Sequence, residues 1–279
     1  MKIILNIFKI LGMSLLLFFI SVFAQNLGIL WHLIHFFTLE YVLHGLTYLV
    51  VAFLLVKLLI NKVLKQHLED YRITVIKIFP LCILLGVLLT IGVITFYLIV
   101  LPGNIMFTHF DTKEAAFEMG IGMIWITGIV APIVEEVVFR GVLLKYIEDK
   151  TNIVTAIIVT SILFALVHLF NGKLSGIDLY LLIIAGTFAG MMYAVATYQY
   201  HSIWASIVIH MCWNLGGLFT ITNTELDYGF VQYIIRSNHA LITGGEYGVD
   251  ASIISILGYC LVITVLLFSN NVLKNRSYK

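Results

Sequence analysis

Three charged residues fall within one apolar run: Ala131-Pro132-Ile133-Val134-Glu135-Glu136-Val137-Val138-Phe139-Arg140-Gly141. On insertion scales a charge at mid-membrane costs roughly 2.5–3.5 kcal/mol, so three without partners would cost on the order of 8–10 kcal/mol. Glu136 and Arg140 are spaced i, i+4 with the acid first, the better orientation for an intrahelical ion pair. Glu135 points about 100° away from Glu136 on the same helix. That spacing divides the labour: Glu136 and Arg140 form a scaffold, and Glu135 is the acting carboxylate, a candidate general base. The structural alternative is a buried ion-pair network that only fixes helix packing.

Two histidines in later apolar runs extend the constellation. Phe164 and His168 are spaced i, i+4, as are His210 and Asn214. A turn near Lys150–Asn152 makes the helix carrying His168 an antiparallel neighbour of the one carrying Glu135. At about 1.5 Å per residue, both lie roughly 22–27 Å from that turn, so the two side chains are expected at similar depth. His210 and Asn214 share one helix face and can aim two donors at one point, as an oxyanion hole requires. Taken singly, His168 reads as an interfacial residue and His210/Asn214 as an interhelical hydrogen bond of about 0.6 kcal/mol. Three polar sites on three spans make a stronger case, for hydrolysis of an amide by activated water. Glu135, His168 and His210 are also the donors a zinc ion would take if one were present. The sequence has no H-E-x-x-H, and metal-free activation is preferred over zinc.

The elements that position these residues are membrane helices. Of 279 residues, 61% are hydrophobic and only 11% charged, against about 45–50% and about 25% in soluble domains. The net charge is +1, and no basic patch suggests nucleic acid. Cys82, Cys212 and Cys260 fall in apolar runs without a C-x-x-C pair, which excludes a thiolate zinc site and argues against disulfides. Lys2 and Lys9 before the run Ile10–Ala24 resemble a signal peptide. The sequence Val22-Phe23-Ala24 lacks the expected small-x-small cleavage pattern, so an uncleaved helix is expected.

Apolar runs long enough to span a bilayer number about eight: 3–24, 41–60, 78–101, 118–147, 152–170, 177–198, 202–223 and 251–270. The apolar stretch 25–40 between the first two reads as an interfacial helix, with Trp31 at headgroup depth. The expected fold is an all-α polytopic bundle. Its parts are N-terminal helices over 1–117, a catalytic core over 118–223, and an outside loop with the last helix over 224–279. With the N-terminus inside, Lys113, Lys173 and Arg236 alone among the Lys and Arg residues fall outside. This positive-inside bias places both termini in the cytoplasm of a multi-pass cell-membrane protein. Gly186-x-x-x-Gly190 is expected to let two helices approach closely. The loop 224–250 and the histidines outside the motifs, His32 and His44 among them, read as solvated or interfacial.

Glu135-Glu136-x-x-x-Arg140, Phe164-x-x-x-His168 and His210-x-x-x-Asn214, in that order over about 118–216, resemble the CPBP family. This is the family of CAAX-prenyl-protease-like and bacteriocin-processing intramembrane proteases, also called Abi; the small architecture is similar to its prokaryotic branch. The resemblance implies that Glu135 and His168 activate water, that His210 and Asn214 stabilise the oxyanion, and that Glu136, Arg140 and Phe164 support the site. It implies a membrane-embedded peptide or protein substrate, prenylated or signal-peptide-like. Other functions open to the same fold are a non-proteolytic scaffold and a bacteriocin self-immunity protein. An ion-coupled transporter with Glu135 as proton carrier is disfavoured by the lack of an internal repeat.

Overall fold

The structure, a computed structural model, describes residues 2–171, 176–226 and 228–276. Among the described residues, six helical segments are long and apolar enough to cross a membrane: Ile4–Ile34, Leu39–Leu64, Pro80–Val100, Lys113–Glu148, Ile153–Phe170 and Gly176–Tyr200. A shorter apolar helix covers Ile253–Ser269. The chain divides into two units, residues 1–77 with 110–156 and residues 78–109 with 157–279.

The first unit is built on α1 (Lys2–Ile29), α2 (Phe37–Leu58) and the long segment α4 (Lys113–Glu148). The stretch expected as a separate interfacial helix instead prolongs α1, through a 3-10 turn at Leu30–Ile34. His35, in the left-handed conformation at φ 48°, ends it. Thr112 caps α4, its hydroxyl accepting from the Ala115 amide at 3.0 Å. Two wide π-helical stretches, Gly122–Val130 and Val137–Leu143, interrupt α4. Between them lies the short α-helical piece Ala131–Glu136. Pro132 has no amide hydrogen to give the Gly128 carbonyl, a local reason for the backbone to widen before it. π-Helical turns are rare and often mark functional sites.

The second unit contains α3 (Pro80–Val100), α5 (Ile153–Val167, which begins in the first unit), α6 (Gly176–Tyr200), α7 (Trp204–Leu215) and α8 (Ile253–Arg276). Pro80 opens α3 at the position where a missing amide hydrogen costs least. Asn152 caps α5 by accepting from the Thr155 amide at 3.0 Å. Gly186 and Gly190 sit where α6 crosses α5. A Cβ on Gly186 would come within 3.0 Å of Ala165 Cα, and one on Gly190 within 2.8 Å of Ser161 Cα. The expected close approach is therefore real, and its cause is steric.

The run 202–223, expected as a seventh span, is shorter as a helix. α7 has 12 residues, about 18 Å of helix against a hydrocarbon core of about 30 Å. It passes through a 3-10 turn at Gly216–Leu218 into strand β2 (Phe219–Thr222). Hydropathy fused them because the strand is apolar too. β2 runs parallel to β3 (Val231–Ile235), and β3 pairs antiparallel with β1 (Gly103–Phe107), giving the order β1-β3-β2. The loop 224–250 thus contributes a strand to a small sheet that the helical reading did not include. Gln232, buried in β3, ties this region together. Its amide donates to Thr108 Oγ1 at 2.8 Å and to the Leu226 carbonyl at 2.6 Å. Lys173, expected on the outside, lies outside the described residues.

Candidate active site

In the first unit the ion pair expected from spacing is present. Arg140 Nη1 donates to Glu136 Oε1 at 3.1 Å, and both side chains are almost completely buried, at 1% and 0% exposure. Glu135 is half-buried, and its carboxylate acts electrostatically on Tyr48 of α2. The two neighbouring acids are therefore in different environments, as their 100° separation requires. Gly141 sets the packing one residue after the arginine, since a Cβ there would come within 2.9 Å of Ile73 Cγ1.

In the second unit Phe164, His168, His210 and Asn214 line one cavity of about 70 Å³. By that measure roughly 10–15 Å³ suffices for one water molecule, so the cavity has room for several. Phe164 is the hub. Its ring meets His168 edge-on at 4.7 Å and His210 at 6.0 Å between centroids. His168 lies where α5 tightens into a 3-10 turn, His168–Asn171. His168 Nδ1 stands 2.7 Å from the Phe164 carbonyl oxygen. A carbonyl can only accept, so Nδ1 carries the hydrogen and Nε2 keeps the lone pair. The i, i+4 spacing of Phe164 and His168 thus does two jobs, fixing the tautomer through the backbone and the ring through the side chain.

His210 is buried and stacked on Tyr193 of α6, with centroids 4.4 Å apart and planes 17° apart. Asn214 lies one turn further along α7 and faces the same cavity. The position of α7 is fixed against α3. A Cβ on Gly86 would come within 3.1 Å of Ile209 Cα, and Thr90 Oγ1 donates to the Cys212 carbonyl at 3.1 Å.

The cavity residues without a role in the sequence reading include Tyr193, Tyr247, Asp250 and Tyr259. Of these four, Tyr193 had an available signal, since it follows Gly190 by three residues on the face that approaches α5. The other three come from the loop and helix that close the chain.

A second titratable cluster lies in the first unit. His32 Nδ1 is 3.2 Å from Glu40 Oε1, and His32 Nε2 is 3.0 Å from His44 Nδ1. Glu40 and His44 are buried, which corrects the interfacial reading of His44. The cause is close packing at Gly28, where a Cβ would fall 2.7 Å from the His44 carbonyl oxygen. Among the described residues no group of three or more His, Cys, Asp or Glu side chains is arranged to hold a metal ion.

Residues 117–216 match the family model described as Rce1-like, type II CAAX prenyl endopeptidase Rce1-like. This segment is similar to that family. No curated protein and no solved structure matches the chain. The Rce1-like segment contains all seven motif residues, from Glu135 to Asn214, and ends at the glycine where α7 gives way to the 3-10 turn. Tyr247, Asp250 and Tyr259 lie beyond it. With six helices of spanning length and an Rce1-like core, the protein is a multi-pass membrane protein in contact with the bilayer.

Proposed function

We propose that the protein is an intramembrane endopeptidase that cleaves a peptide bond of a membrane-associated substrate with activated water, without a metal. The observation that carries this reading is the convergence of His168, His210 and Asn214 on one cavity with room for water. The Rce1-like match supports the protease class.

The chemistry follows from the groups. Glu135 accepts a proton from water, and His168, holding an open Nε2, orients that water by accepting its second hydrogen. The water oxygen attacks the carbonyl carbon, and the carbonyl electron pair moves onto oxygen. His210 and Asn214 donate N–H groups to that oxyanion, an arrangement in which one donor is typically worth about 10²–10³ in kcat. Collapse breaks the C–N bond, and the leaving amine takes the proton held by Glu135. Glu136 and Arg140 hold α4 around Glu135, and Phe164 holds both imidazoles.

The test is comparative peptidomics of cells expressing the wild type or Glu135→Gln at matched membrane levels. New termini found only with the wild type establish proteolysis and identify the substrate. Identical peptidomes, with a cellular phenotype that survives the substitution, would overturn the reading and leave a scaffold or immunity protein.

A further inference from the structure

Among the described residues, Asp250 is the single Asp, Glu, Lys or Arg on the wall of the cavity that holds His168, His210 and Asn214. It lies in the 3-10 turn Val249–Ala251, just before α8. A carboxylate in that place usually caps the following helix, but here the cap is already made. Ser252 Oγ accepts from the Ser255 amide at 3.2 Å, and Ser255 Oγ in turn donates to the Val249 carbonyl at 2.6 Å. Among the described residues no basic side chain forms a salt bridge with Asp250. The turn is nonetheless firmly held, because Tyr259 Oη donates to the Asp250 carbonyl at 3.1 Å. Gly244, at φ 77°, packs so closely on Gly248 that a Cβ would fall on its carbonyl oxygen.

Desolvation by its neighbours pushes the Asp250 carboxyl up to about 6, although the residue as a whole is exposed. At neutral pH the group is still mostly ionised. A carboxyl shifted in this direction that also lines a cleft is a candidate for function. The same cavity wall carries the aromatic side chains of Tyr193, Trp213, Tyr247 and Tyr259. Aromatic rings favour nearby cations, and a carboxylate binds a guanidinium or ammonium through charge-assisted hydrogen bonds.

We infer that Asp250 is a specificity-determining residue, which selects substrates carrying a lysine or arginine beside the bond presented to His168, His210 and Asn214. The word substrate rests on the proteolytic reading; the binding of a cationic side chain in this cavity does not. The loop after the Rce1-like segment thereby supplies selectivity to a cavity whose imidazoles that segment provides.

The test uses the full chain in lipid nanodiscs and two fluorescent alanine-based peptides, one with arginine and one with the isosteric neutral citrulline at the same position. Anisotropy is expected to show the arginine peptide binding about tenfold tighter or more, the usual scale of a hydrogen bond to a charged group. Asp250→Asn, of nearly the same shape, should bring the two affinities together. Equal binding by the wild type, binding of neither peptide, or discrimination that survives Asp250→Asn would each overturn the inference. The peptidomes separate it from the proteolytic reading. Wild-type cuts with no basic residue nearby remove this inference and keep the protease. Arginine discrimination without any cleavage keeps the cation site and removes the protease.

Discussion

The ring of Tyr193 lies flat against the imidazole of His210, with 4.4 Å between centroids. Phe164 meets the same imidazole nearly edge-on, at an interplanar angle of 79°. His210 is therefore held on two sides by aromatic rings from two other helices, and its N–H direction is set by packing. Aromatic pairs of this kind contribute about 0.5–1.5 kcal/mol beyond their buried area. Tyr193→Phe keeps the ring and should retain cleavage within a few-fold. Tyr193→Leu fills much of the space without the stack and should lower kcat about tenfold, equivalent to about 1.4 kcal/mol. Initial rates on the substrate found by peptidomics check both, and equal rates for the two variants would show that the stack does not position His210.

Glu136 and Arg140 should behave unlike Glu135. Removing either partner of a fully buried ion pair leaves an uncompensated charge and typically costs about 3–5 kcal/mol. Glu136→Ala and Arg140→Ala are each expected to lower the thermal midpoint of the purified protein steeply. Glu135 is half-buried, and Glu135→Gln should leave the midpoint near that of the wild type while abolishing cleavage. Thermal unfolding in detergent, read beside activity, separates the roles. A destabilised Glu135→Gln protein would place Glu135 in the scaffold instead.

The motif residues were legible in the sequence because each signal is local. An i, i+4 spacing reports a helix face directly, so the Glu136–Arg140 pair, the Phe164–His168 contact and the shared cavity of His210 and Asn214 could be read from spacing. The helical character of the chain was legible from hydropathy for the same reason. Hydropathy does not report backbone geometry, so it merged α7 with β2 into one apolar run. It also could not show the π stretches flanking Glu135 and Glu136. Asp250 and the Glu40–His32–His44 cluster were out of reach for a different reason. Their meaning depends on contacts between segments far apart in sequence, or across a helical hairpin, and no periodicity encodes those.

His168 carries a prediction about a single hydrogen. Its Nδ1 donates to the Phe164 carbonyl, so the neutral ring should be the Nδ1–H tautomer. Nitrogen NMR of protein labelled at histidine, with His168→Gln used to assign the resonance, reads the protonated nitrogen directly. A spectrum showing the hydrogen on Nε2 would remove His168 as an acceptor for the attacking water. It would also require another group to orient that water.

Asp250 links the proposed specificity to stability, and the sign can be worked out. Its carboxyl lies at about 6 in the folded protein, above the ordinary 3.8. The folded state therefore holds this proton more tightly than the unfolded chain does. Its stabilising effect is fully present below about pH 4 and is lost as pH rises through about 6. Asp250→Asn removes the titration, so the variant should match the wild type at low pH and become the more stable protein above pH 6. A shift of this size would correspond to about 3 kcal/mol for a sealed group. Because Asp250 keeps accessible surface, about 1 kcal/mol is the expected difference. Tyr97, Tyr228 and Tyr259 interact electrostatically with Asp250 but do not titrate in this window. His168 and His210 line the same cavity, so the comparison is repeated in His168→Gln and His210→Gln backgrounds. Thermal midpoints of each pair from pH 4 to 8 give the answer. Parallel curves across that range would mean that the carboxylate carries no desolvation cost, and would remove the physical reason for its place in the cavity.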